Sequence, residues 1–124
     1  MPADLSGKRI VITGAATGIG RSTTLRVSSN GAKVAAFDVN DADGSTTVSD
    51  VNESGGDARY WHVDVRDETA VAGAVAAAET WLGGIDVLIH VAGVLQGAAV
   101  ELDEFPEDVW DTVPDMNLRG SFTI

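Results

Sequence analysis

The chain has 124 residues, room for one domain of ordinary size and too few for two well-developed ones. Apolar residues make up 44% and charged residues 22%, and 8 basic against 19 acidic side chains leave a net charge of −11, which argues against nucleic acid and membrane as partners. No cysteine is present, so disulfides, thiolate metal sites and cysteine nucleophiles are excluded.

The expected compartment is the cytoplasm, and no metal site is expected. Met1 to Arg9 lacks the apolar core of a signal peptide. The longest apolar stretches, such as Val87 to Leu95, are far too short to span a bilayer.

Arg9 to Thr13 is a β-branched run ending at Gly14, and it predicts a buried strand. Gly18 to Asn30 predicts a helix closed by Gly31. Lys33 to Asp38 predicts a second strand. Asp41 to Gly55 predicts a weaker helix with Val48 and Val51 on one side, and Ala58 to Val63 a third strand. Asp67 suits a helix N-cap, with Val71, Val75, Ala78 and Leu82 forming one apolar stripe before Gly83 and Gly84. Ile85 to Val91 predicts a fourth strand, and a last helix starts at Pro106.

Strands alternating with helices imply an α/β fold, a Rossmann-type doubly wound parallel sheet with helices on both faces. With strand order 3-2-1-4, the first two helices cover one face and the last two the other. A ligand crevice then opens at the carboxyl ends of strands 1 and 4. The chain is read as a single unit over residues 1–124.

Between the first strand and first helix lies Thr13-Gly14-Ala15-Ala16-Thr17-Gly18-Ile19-Gly20. Gly14 permits a tight turn. Gly18 leaves the backbone open to a phosphate. Gly20 permits close packing of the helix on the sheet, and the helix N-terminus offers N–H groups to a pyrophosphate. An ordinary glycine-rich turn is the competing reading. Asp38 ends the second strand, close to the spacing expected of a ribose-binding acid. Its carboxylate can accept from both ribose hydroxyls and would repel a 2′-phosphate. No Arg or Lys at Val39 or Thr17 offsets that repulsion, so the expected cofactor is NAD.

These residues resemble the short-chain dehydrogenase/reductase family, whose cofactor loop has the spacing Thr13-Gly14-x-x-x-Gly18-Ile19-Gly20. Gly31-Ala32-x-Val34, Asp64-Val65, Asp86-Val87-Leu88-Ile89-x-x-Ala92-Gly93 and Asn117-Leu118-x-Gly120-x-Phe122 agree in order, so the resemblance runs along the whole chain. It implies that Gly14, Ala16, Thr17, Gly18, Ile19 and Gly20 wrap the pyrophosphate, and that Asp38 and Val39 hold the adenosine ribose. It implies that Asp64 meets the adenine amine with Val65 beside the ring, that Ala92 and Gly93 line the path to the nicotinamide ribose, and that Asn117 supports a proton relay. It further implies a small alcohol or carbonyl substrate and a homo-oligomer when complete.

There are departures. His90 and Val91 stand where the family usually has two Asn, and we expect His90 to donate a structural bond from the fourth strand toward the glycine loop. Pro114 falls inside the last helix, three residues before Asn117. The family's reaction needs a Ser and a Tyr-x-x-x-Lys. Here Tyr60 is the one tyrosine, and Asp64 stands four residues after it. His62 and His90, in strands, are expected to be packed. The chain thus matches the cofactor-binding half of the family and is expected to be inactive alone.

Phe122-Thr123-Ile124 lies inside an apolar helical pattern without a cap, and the fourth strand is left as an apolar edge. We therefore expect a longer natural chain, or a partner over that edge. A stand-alone, non-catalytic dinucleotide-binding or regulatory half-domain is the alternative. A methyltransferase-like site for S-adenosylmethionine fits the glycine spacing less well.

Overall fold

The computed structural model describes residues 4–93. The helix expected from Pro106 and Asn117 within it lie outside the described residues, as does Pro114. Four strands and three helices alternate: β1 (Arg9–Thr13), α1 (Gly18–Ser29), β2 (Lys33–Asp38), α2 (Asp41–Glu53), β3 (Asp57–His62), α3 (Glu68–Leu82) and β4 (Val87–His90). All pairings are parallel, in the order β3-β2-β1-β4. The doubly wound sheet read from the sequence is therefore the fold.

β1 and β2 form the centre of the sheet. Val11, Ile12, Val34 and Phe37 are fully buried there, as unbroken apolar runs covered on both faces require. Ile10, Ile12, Val34 and Ala36 pack toward α1 and α2, together with Val51. Val11, Ala35 and Phe37 pack on the other face against Val71, Ala74, Ala78 and Leu82 of α3.

α1 buries Gly20, Thr24 and Ser28, a stripe of small residues at intervals of four that brings the helix close to the sheet. The Thr24 hydroxyl turns back to the Gly20 carbonyl at 2.8 Å, so its polar atom is satisfied inside the helix. α2 buries Gly44, Thr47 and Val51, with Val48 only partly covered. In α3 the buried stripe runs through Ala74, and Val75 sits at its margin. Asp67 caps α3 by accepting from the Ala70 amide, and Gly83 ends it at φ 80°.

β4 is shorter than the run Ile85 to Val91. Asp86 turns aside to Arg9, accepting from its backbone amide and from two guanidinium nitrogens at 2.9–3.0 Å. Pairing with β1 then starts at Ile10↔Val87 and ends at Thr13↔His90. β3 starts one residue earlier than expected because Asp57 sits opposite Lys33 in the register. No helix among the described residues is long and apolar enough to cross a membrane.

Candidate functional site

The carboxyl ends of β1, β2 and β3 and the segment after β4 surround a groove of about 350 Å³. Gly14, Thr17 and Ile19 line it from the glycine loop, and Asp38 and Val39 from the end of β2. Val65, Ala92 and Gly93 complete the set of expected residues that face it. Phe37 and Val63, not singled out from the sequence, and Val91, noted there only as a departure from the family's pattern, also line it. They sit in or next to strands, where an apolar residue reads as core and gives no ligand signal. No lysine or arginine is among the lining residues described.

The glycine loop is held from below. The amides of Gly14 and Ala15 both donate to the Phe37 carbonyl, at 2.8 and 3.2 Å. Gly14 has φ 71°, and a Cβ on it would stand 2.8 Å from the Ala92 amide nitrogen. Only glycine lets the two halves of the sheet end meet there. A Cβ on Gly20 would fall 1.7 Å from the Gly14 carbonyl oxygen. What Gly20 spares is thus the loop itself rather than the sheet, a correction to the expected role.

Gly18 is different: its φ is 57°, and a Cβ there meets nothing within 4 Å. Thr17 precedes α1 without a side-chain cap, and no acidic residue stands in the first turn. By contrast, α2 and α3 are capped by Asn40 and Asp67 and carry acids in their first turns. Since Arg21 is the first residue of α1 to donate back along the helix, to Thr17, the amides before it have no intrahelical acceptor. They make an opening for an anion.

Asp38 is already organised. Its Oδ1 accepts from the amides of Val39 at 2.7 Å and Asn40 at 3.0 Å, and its Oδ2 accepts from the Ala16 amide at 3.0 Å. The carboxylate therefore ties the end of β2 to the glycine loop. A carboxylate offers about four lone-pair sites, and these bonds leave one, on Oδ2. The expectation that it takes both ribose hydroxyls is narrowed to one bond without rearrangement. Ala16 also contributes its carbonyl to the Thr47 hydroxyl of α2, which Arg21 donates to in turn.

Asp64 follows β3, and its carboxylate is engaged by the Arg66 guanidinium through both oxygens, at 3.0 and 2.8 Å. That bond above all holds Asp64 below the usual carboxylate range. Asp64 is not in the lining of the groove, nor are Ala16, Gly18, Gly20 and His90.

His90 Nδ1 lies 2.6 Å from Thr13 Oγ1. The Thr13 oxygen receives the amides of Val91 and Ala92, each at 3.2 Å. The Val91 amide is shared with the Thr13 carbonyl, also at 3.2 Å, and with two amides aimed at the hydroxyl oxygen its hydrogen is best placed on His90 Nδ1. The expected bond from His90 toward the glycine loop is present, and in the tautomer that suits these partners His90 is its acceptor. That tautomer carries its proton on Nε2, and burial pushes the ring's pKa down.

His62 is not packed. Its side chain is 60% exposed, with Nδ1 2.7 Å from Asp41 Oδ1. Tyr60, which the sequence marked only as a mismatch to a catalytic pattern, donates from its hydroxyl to the Asp38 carbonyl at 2.8 Å and to Asp41 Oδ1 at 2.7 Å. No motif spacing announces either residue. Their partners depend on strand register and on where α2 begins.

Among the described residues no group of three or more His, Asp or Glu is placed to hold a metal ion. A family model described as short chain dehydrogenase matches residues 8–124. The chain belongs to the short-chain dehydrogenase family. It is 38% identical over 118 residues to an uncharacterized oxidoreductase, YxbG, of Bacillus subtilis, covering 95% of this chain and 43% of that protein. It is 35% identical to the 2,3-dihydro-2,3-dihydroxybenzoate dehydrogenase of the same organism, covering 95% and 44%. A crystal structure of NAD+-bound xylitol dehydrogenase superposes with a TM-score of 0.91 at 34% identity, covering 98% of this chain and 46% of that one. The chain thus spans less than half the length of each of these three proteins.

Proposed function

We propose that this chain is the cofactor-binding half of an NAD-dependent oxidoreductase that moves hydride between the nicotinamide and an alcohol or carbonyl carbon. The observation that carries the cofactor choice is Asp38, fixed at the end of β2 beside the glycine loop in a groove without a lining cation among the described residues. The residues fit such a group. Gly18 leaves open space next to the uncapped start of α1 for the pyrophosphate, and Asp38 Oδ2 keeps a lone pair for a ribose hydroxyl. A 2′-phosphate would meet that carboxylate unscreened. When bound, the nicotinamide ring supplies the hydride acceptor or donor.

In this reading Val39 stands with Asp38 at the adenosine ribose, Val65 offers apolar surface beside the adenine, and Asp64, beyond its bonds to Arg66, retains an acceptor for the adenine amine. Ala92 and Gly93 keep the path to the nicotinamide ribose free of bulk. Asn117 supports the proton relay. Tyr60 is the one tyrosine and has Asp64 four residues on, so residues 1–124 contain no Tyr-x-x-x-Lys for proton transfer to the substrate.

Titrating the full-length protein with NADH and NADPH, followed by nicotinamide fluorescence, tests the reading. NADH is expected to bind at least about tenfold more tightly, the consequence of roughly 1.4 kcal/mol of charge discrimination. Equal affinity, or a preference for NADPH, would overturn the cofactor choice. Binding of NADH without turnover of any alcohol by the full-length protein would favour a non-catalytic dinucleotide module.

A further inference from the structure

The planar peptide joining Asp38 to Val39 is gripped at both ends. Its N–H, from Val39, donates to Asp38 Oδ1 at 2.7 Å. Its carbonyl accepts from the Val63 amide at 2.9 Å and from the Tyr60 hydroxyl at 2.8 Å. Because the peptide is rigid about its C–N bond, fixing the carbonyl fixes the direction of the N–H. That N–H sets the rotation of the Asp38 side chain, which in turn reaches Ala16 of the glycine loop at 3.0 Å.

We propose that Tyr60 is a positioning residue for the ribose-binding carboxylate of Asp38, acting through the Asp38–Val39 peptide. The proposal rests on the dinucleotide reading above.

Several features make Tyr60 suited to this task. Its position in β3 is opposite Ala36, two residues before the end of β2, so the ring reaches past the strand to the turn. The ring occupies space left by Gly44 of α2, where a Cβ would come within 2.2 Å of Cε2. A rigid aromatic in a fitted slot delivers its hydroxyl with little freedom to lose. Burial first, then Asp41, pushes the phenol's pKa well up, so it remains a donor across the working pH range. The one phenolic hydrogen is divided between the Asp38 carbonyl and Asp41 Oδ1, which His62 Nδ1 also approaches. Asp41 is therefore a competitor for the hydrogen, not a relay.

The test uses the full-length protein and two probes that differ only at the ribose, ADP and 2′,3′-dideoxy-ADP, with affinities from calorimetry. The unmodified protein should prefer ADP. Tyr60→Phe keeps the ring and removes the hydroxyl. It should weaken ADP by about fivefold, the scale of one hydrogen bond of roughly 1 kcal/mol, and change dideoxy-ADP by less than about twofold. Asp41→Ala should keep or raise the parental preference for ADP, since it removes the competing acceptor and leaves the hydrogen to the Asp38 carbonyl. Equal losses for the two probes in Tyr60→Phe would show a merely structural tyrosine and overturn the proposal. So would an unchanged ratio, or an Asp41→Ala variant that copies Tyr60→Phe. If the unmodified protein fails to distinguish the probes, the ribose role of Asp38 falls, and this proposal falls with it.

Discussion

Thr13 gives its hydroxyl hydrogen to His90 across the β1–β4 boundary, at 2.6 Å. The bond ties the last residue of β1 to the last residue of β4, directly beside Gly14. It works only while Nδ1 carries a lone pair. Protonation would place two hydrogens against each other.

Acid should therefore loosen this junction. An unfolded histidine takes a proton near pH 6.5, whereas the partly buried His90 ring resists it. Below pH 6.5 the unfolded chain binds more protons than the folded one, so this contribution is complete above pH 6.5 and declines as the pH falls. Urea denaturation between pH 7.5 and 5.5 should show that decline, and His90→Asn should flatten it. An unchanged slope in the variant would remove His90 as the cause.

A second acid transition belongs to Asp86. Hydrogen bonds from Arg9 hold its carboxyl down to about 2. A carboxylate depressed on folding stabilises above its unfolded pKa, near 3.8, and the gain is lost as the pH falls toward 2. Asp86→Asn should lower the melting temperature at neutral pH and remove that part of the acid limb. Because Arg9 also reaches the Gly83 carbonyl at 2.6 Å, the turn from α3 to β4 should show faster amide exchange in the variant.

The two glycines at the start of α1 should fail in different ways when replaced by alanine. Gly20→Ala drives a methyl into the Gly14 carbonyl, and a loss of about 3 kcal/mol or more is expected from so rigid a clash. Gly18→Ala costs only the left-handed backbone, about 1–2 kcal/mol, and meets open space, which the dinucleotide reading assigns to the pyrophosphate. Thermal melts should single out Gly20→Ala, and ADP affinity should single out Gly18→Ala among folded variants.

Ser28 offers the opposite sign. Its side-chain oxygen is buried in α1 with no hydrogen-bond partner among the described residues. Removing an unpaired buried hydroxyl relieves its desolvation cost, so Ser28→Ala should raise stability by about 1 kcal/mol. A loss of stability in chemical denaturation would mean that the hydroxyl has a partner in solution.

The strands, the glycine loop and Asp38 were legible because their signals are local. A β-branched run, a glycine triad and a strand-ending acid each lie within a few neighbouring residues. The strand order 3-2-1-4 was a supposition from the sequence; right-handed crossovers only say which face each helix covers once that order is adopted. Tyr60 and His62 were not legible, because their meaning depends on β3 lying in register with β2 and on Asp41 starting α2. The hydrogen-bond direction at His90 needed an account of every lone pair on Thr13, which no sequence pattern encodes. The single remaining lone pair of Asp38 was hidden for the same reason: Val39, Asn40 and Ala16 claim the others only once the turn has folded.

The all-parallel sheet also dictates an order of assembly. β1 meets β2 across α1 alone, but β1 meets β4 only after α2, β3 and α3 have been threaded, with Thr13 and His90 separated by 77 positions. Closing so long a loop is slow and entropically late. The wall of the groove carrying Asp38 and the glycine loop should thus form early, and the wall carrying Ala92 and Gly93 last. A refolding chain would then complete the Asp38 wall of the groove before the opposite one, and transient opening of β4 in the native state would undo the Ala92–Gly93 wall first.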